Sequence, residues 1–184
     1  MQSVVIFIFG SCIGSFLNVV IYRLPIMIKN TEYNDALDFL ENSTPRVTQK
    51  FNLSYPSSHC PQCKNTIPFW ANIPIIGYFI TKMRCHHCHL HIPFRYPLVE
   101  LTTAAMFLGI SCLQPNLFIL CFDFIFISIM ICCILISYDG NSIPSSLTLS
   151  LLWLGILINT KLNFAPTLAA SVIGAISGHL LCTN

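Results

Sequence analysis

Four cysteines in two pairs carry the plainest chemistry in this sequence. Cys60-Pro-Gln-Cys63 is followed, after 21 residues, by Cys85-His-His-Cys88. A Cys-x-x-Cys pair sets two thiolates on one tight turn, so both can face one ion. Two such turns predict a closed, tetrahedral, structural Zn²⁺ site with Cys60, Cys63, Cys85 and Cys88 as ligands. Two disulfides and four free thiols are the competing readings, and disulfides need an oxidising compartment. His59, His86, His87 and His89 lie close enough in sequence to substitute as ligands. Four sulfurs already fill the shell, so the histidines read as solvated loop residues or as donors that support the ligands.

The seven acids offer less. Glu32, Asp35, Asp38 and Glu41 recur along a polar stretch and read as a solvated helix face. Glu100 and Asp123 fall within apolar runs. Glu100 is expected to pair with Arg95 or with a helix-start amide. Asp123 faces a partner or cavity, or reaches the interface. Asp139 sits beside Gly140 and Asn141, where a turn is expected.

These residues are carried by a chain of membrane composition. Of 184 residues, 54% are hydrophobic and only 9% charged, against about 25% charged in soluble domains. Residues 4–22 form an apolar run long enough to cross a bilayer. No basic residue precedes it and Arg23 follows directly, unlike a cleaved signal. Gly10 and Gly14 predict a face that another helix approaches closely. Asn18 needs a polar partner within the membrane. Further spans are expected at residues 97–113, 117–138, 143–158 and 164–182. Between the first two, Thr31 is expected to cap a short acidic helix over residues 32–41. Residues 65–83, linking the cysteine pairs, are too apolar for a plain linker. They are expected to cover the metal site or to lie against the membrane surface.

The expected fold is therefore an all-α polytopic membrane protein of about five helices, with a small tetracysteine domain between the first two. Residues 1–22 form the first helix, 23–96 the zinc domain and 97–184 the remaining helices. Eight of the nine Lys and Arg residues lie between Arg23 and Arg95. The positive-inside rule makes that domain cytosolic and the N-terminus external. A cytosolic site favours thiolate–zinc over disulfides. The basic residues are mixed with Glu32, Asp35, Asp38 and Glu41 and form no recognition helix, which argues against nucleic acid as a partner.

Gly14-Ser-Phe-Leu-Asn-Val-Val-Ile-Tyr-Arg-Leu-Pro25 resembles the opening signature of the bacterial type 4 prepilin peptidases. Phe51-Asn-Leu, the two cysteine pairs, Trp70-x-Asn-Ile-Pro74, Arg95-Tyr-Pro-Leu-Val-Glu-Leu101 and Leu151-Leu-Trp-Leu-Gly155 agree in order. The resemblance implies a bifunctional enzyme of the bacterial inner membrane. Such an enzyme clips the leader from type 4 prepilins and pseudopilins as an intramembrane aspartic peptidase. It then N-methylates the new terminus with S-adenosylmethionine. The lipid bilayer and pilin leader peptides are the implied partners.

The resemblance weakens at the peptidase centre. The family uses two aspartates: one before a Leu/Ile-Pro-Asp segment, one in a later Gly-x-Gly-Asp. One carboxylate must be ionised while its neighbour stays protonated. Here the first motif reads Ile136-Ser-Tyr-Asp139-Gly-Asn-Ser-Ile-Pro144-Ser-Ser-Leu-Thr148. Aligned on Pro144, the catalytic position is Ser137, and the Asp of Pro-Asp is Ser145. A two-residue gap would make Asp139 the acid, but positions two apart on a helix point about 200° apart. No Gly-x-Gly-Asp occurs up to Asn184. The expectation is a truncated, peptidase-inactive relative, with Asp139 the only candidate catalytic acid. The alternatives are an active enzyme that borrows a second acid, and a non-enzymatic membrane zinc module that binds pilin leaders.

Overall fold

A computed structural model describes residues 1–40, 51–60 and 62–162. It is helical: α1 Gln2–Phe39, α2 Ile76–Ile80, α3 Arg95–Leu113, α4 Leu117–Tyr138 and α5 Ser145–Leu162, with a 3-10 turn at Phe69–Asn72. Two compact units divide it, Met1–Leu108 and Gly109–Asn184. Among the described residues α1, α3 and α4 are long and apolar enough to cross a membrane, and Ser145–Leu157 is a shorter apolar helix. The expected fifth span lies outside the described residues.

Within the first unit, α1 and the first part of α3 are antiparallel and touch almost backbone to backbone. A Cβ built on Gly10 would stand 2.8 Å from the Ala104 Cα, and one on Gly14 would stand 2.7 Å from the Glu100 Cα. Only hydrogen fits there, so the Gly-x-x-x-Gly face does what its spacing predicts. The same register extends both ways. The Phe9 and Phe107 rings lie 6.2 Å apart, and Asn18 Nδ2 donates to the Tyr96 carbonyl at 3.1 Å. Asn18 thereby obtains the partner its position demands.

Two boundaries differ from the sequence reading. α1 does not stop after Tyr22; it runs through Pro25 to Phe39. Proline removes one helical hydrogen bond and crowds the preceding turn, but Arg23 and Pro25 are both buried, and packing holds the helix there. Nor does Thr31 cap a new helix. Its Oγ1 donates back to the Met27 carbonyl at 3.0 Å, as a hydroxyl inside a continuous helix does. α3 begins two residues early, at Arg95, with Pro97 in its first turn, where a missing N–H costs nothing.

In the second unit α4 covers the expected residues, and Asn116 Oδ1 caps it by accepting from the Phe118 N–H at 3.0 Å. It packs against α5. Cys132 and Cys133 are buried on α4 and act as small hydrophobes. α5 starts at Ser145, after Pro144 rather than before it.

Gly14→Leu should lower stability in detergent by about 1–3 kcal/mol, the usual range for overpacking. Gly109→Ala, whose Cβ meets nothing within 4 Å, should be neutral or gain up to about 1 kcal/mol. Denaturant titration of both variants checks this; equal behaviour contradicts the close approach.

Candidate metal centre and acidic motif

Each cysteine pair sits on a knuckle of the same design. In the first, the Lys64 N–H donates to the Cys60 carbonyl at 2.9 Å, and the Cys60 N–H to the Asn65 carbonyl at 3.0 Å. In the second, the His89 N–H donates to the Cys85 carbonyl at 3.1 Å, and the Cys85 N–H to the Leu90 carbonyl at 2.9 Å. Lys64 and His89 take φ of 56° and 57°, the left-handed conformation that folds each turn back. Antiparallel bridges, His59 to Thr66 and Arg84 to His91, close the two knuckles.

The knuckles bring all four sulfurs within 4.8 Å of one another. Cys60 and Cys88 Sγ are 3.6 Å apart, and Cys63 and Cys85 Sγ 3.9 Å. A tetrahedron with metal–sulfur bonds near 2.3 Å has edges of about 3.8 Å, so the quartet fits one tetrathiolate ion. The cysteines are not disulfide-bonded. Two of the nearby histidines are engaged elsewhere: His59 Nδ1 lies 3.0 Å from the Ser57 carbonyl, and the His86 ring meets Trp70 edge-on at 5.9 Å.

Turn amides prepare some of these thiols for the ligand form. The Cys63 and Gln62 amides point at the Cys60 sulfur and bring its thiol down to about 6. The Cys88 and His87 amides lower Cys85 in the same way. At Cys88 the Leu90 amide favours the thiolate, but burial and the sulfurs of Cys60, Cys85 and Cys63 outweigh it and push the thiol to about 11. Four thiolates so close repel one another, and a cation at their centre removes the repulsion.

Two buried charges fasten the polar segment to the helices. Arg23, 7% exposed, donates Nη1 to the Asn52 carbonyl at 2.9 Å and Nη2 to the Pro56 carbonyl at 2.6 Å. Nη1 also reaches the Leu53 carbonyl at 3.4 Å, and the guanidinium lies 5.7 Å from the Phe51 ring centre. The Phe51-Asn-Leu segment is thus a docking surface for Arg23, a link that no spacing rule announces. Glu100 is buried as well. Its Oε2 accepts the Ile75 N–H at 2.6 Å, and its carboxylate takes a hydrogen bond from Ser15. Ile75 is the N-cap of α2, so the helix-start amide expected for Glu100 belongs to a different helix.

Asp139 is the C-cap of α4 and is exposed. Gly140, with φ of 70°, donates its N–H to the Ser137 carbonyl at 3.0 Å, and Asn141 donates to the Ile136 carbonyl at 3.2 Å. That pair of bonds is a Schellman ending. The other acid of this unit, Asp123, is 16 residues earlier on the same helix, about 24 Å away along its axis.

Residues 8–113 match the family model of the bacterial peptidase A24 N-terminal domain. A prepilin leader peptidase/N-methyltransferase of Neisseria gonorrhoeae is 37% identical over 95% of this chain and 63% of its own length. One from Burkholderia pseudomallei (strain 1026b) is 36% identical over 98% and 59%. One from Klebsiella pneumoniae is 35% identical over 95% and 69%. The chain spans about 60% of the length of the first of these relatives. No solved structure matches it.

Arg23→Lys keeps the charge but cannot reproduce the fork across three carbonyls. It should cost about 1.5–3 kcal/mol, the range for a charge-assisted hydrogen bond, and speed amide exchange across residues 52–55. Unchanged exchange there would remove Arg23 as the clamp.

Proposed function

Because this chain belongs to the bacterial prepilin leader peptidase family, we propose that residues 1–184 form the metal-bearing, substrate-handling part of a prepilin leader peptidase/N-methyltransferase and do not by themselves cleave leaders. The observation that carries the second half is the setting of Asp139. An aspartic peptidase needs two carboxylates close enough to hold their protonation states apart. Asp139 ends a helix in a Schellman turn, and Asp123 is about 24 Å along that helix. Aligned on Pro144 without a gap, Ser137 and Ser145 fall where the family's first motif has acids, and a serine supplies no carboxylate. The active reading, with Asp139 as one acid, requires a second carboxylate that α4 does not offer.

The four cysteines hold one structural Zn²⁺ in this reading. The ion supplies folding energy to a segment with little core of its own, and its closed shell leaves no position for substrate. Lys and Arg between Arg23 and Arg95 put this segment on the cytosolic side of the inner membrane, with the N-terminus periplasmic. There the pilin leader would meet it. The chain has no glycine-rich loop of the dinucleotide type, and the methyl donor S-adenosylmethionine is assigned to no residue.

Two measurements check this. Purified protein should contain about one zinc per chain, and Cys63→Ser or Cys88→Ser should lose it together with protease resistance of residues 51–94; a metal-free parent with the same resistance contradicts the site. Incubated with a prepilin, the 184-residue chain should leave the leader attached, and Ser137→Asp alone should not restore cleavage. Cleavage by the unaltered chain would overturn the inactive reading.

A further inference from the structure

α2 has two unlike faces. Gly77 and Tyr78 are buried. A Cβ on Gly77 would overlap the Ala71 carbonyl oxygen, and Tyr78 Oη donates to the Ile92 carbonyl at 3.2 Å. Ile76, Phe79 and Ile80 stand at helical spacings of three and four on another face and are 57%, 60% and 57% exposed. Three large apolar side chains on a five-residue helix are a poor surface for water.

The height of α2 says what covers that face. α3 has 19 residues and rises about 28 Å, against a hydrocarbon core of about 30 Å. As a span it has no length to spare, so Arg95 lies at the membrane boundary. Ile75, the residue that starts α2, is bonded to Glu100, about 7.5 Å along α3 from Arg95. The Glu100 side chain leans back toward that boundary, as helical side chains do. Phe94, immediately before α3 and 60% exposed, has its ring 6.1 Å from Tyr78. α2 is therefore held beside the first turns of α3. Interfacial helices bury their apolar face about 5–10 Å below the headgroups. Lys82 and Arg84, both exposed, follow α2 directly, and suit lipid phosphates.

The backbone makes this placement specific. Ile75 has φ of 60° and ψ of −55°, with the Ile76 N–H donating to the Pro74 carbonyl. This is a γ-turn of the strained, positive-φ kind, at a β-branched residue that rarely adopts it. The turn aims the Ile75 N–H at Glu100 as α2 begins.

We infer that α2 is an interfacial membrane anchor of the metal-bearing segment. Ile76, Phe79 and Ile80 insert at the headgroup–acyl boundary of the leaflet where α3 begins, and Lys82 and Arg84 meet phospholipid phosphates. The inference needs α3 to be a span, but neither leader cleavage nor methyl transfer.

Brominated-lipid quenching tests it on the full chain in phosphatidylethanolamine–phosphatidylglycerol vesicles. Trp70→Phe and Trp153→Phe clear the background, and Phe79→Trp or Ile80→Trp supplies one reporter at a half-exposed site. Met106→Trp, 47% exposed and near the middle of the span, is the depth control. The reporters at 79 and 80 should emit to the blue and be quenched several-fold more by lipids brominated near the glycerol than by those brominated near the chain end. The control should show the reverse order. Water-like, unquenched emission at 79 and 80 with a quenched control overturns the anchor. Blue-shifted but unquenched emission also overturns it, because protein rather than lipid then covers the face. An unquenched control removes the span and the anchor with it.

Discussion

A single buried carboxylate holds the first unit together. Gly14 of α1 lies against the Glu100 Cα, Ser15 hydrogen-bonds the Glu100 side chain, and the Ile75 N–H closes on Oε2. Two helices and the insert between the cysteine knuckles thus meet at one residue. A carboxylate taken out of water is tolerated only when hydrogen bonds replace its hydration. Here the replacing donors come from different elements, so meeting the need of Glu100 fixes their mutual position. Arg23 repeats the device with opposite charge: it is buried on α1 and satisfied by carbonyls of residues 52–56.

Much of this was legible in the sequence where one local rule dominates. The cysteine spacing anticipated two turns around one point, and the sulfurs lie within 4.8 Å of one another. The Gly10–Gly14 spacing anticipated a close helix contact, because a missing Cβ has meaning only against a near neighbour. Apolar length anticipated α4 to the residue. The misses arise where distant packing overrides a local signal. Pro25 and Arg23 looked like the end of a span, yet both are buried in a continuous helix. Thr31 looked like a cap, but mid-helix its hydroxyl bonds backward. Ile75 lies 25 residues from Glu100 and Pro56 lies 33 from Arg23 in sequence, beyond any periodicity.

The acidic motif shows the same contrast between composition and geometry. Tyr138-Asp139-Gly140-Asn141 has the composition of a helix ending, and its hydrogen bonds form one. Whether a carboxylate there also performs chemistry depends on a second acid within a few ångströms, which α4 does not offer. The tetracysteine segment is independent of that question. Its knuckles, its Arg23 clamp and its Glu100 bond all lie within Met1–Leu108, so it can retain its shape, and its place against the helices, whatever the peptidase motif does.

The most direct test of the account is the exchange rate of one backbone amide. Ile75 should exchange its N–H slowly in the unaltered protein, because Glu100 holds it. Glu100→Ala should speed that exchange by at least ~10-fold, the equivalent of about 1.4 kcal/mol, while amides at the centres of α1 and α3 stay protected. Fast exchange at Ile75 in the parent, or an unchanged rate in the variant, would contradict the claim that this carboxylate ties the insert to the helices.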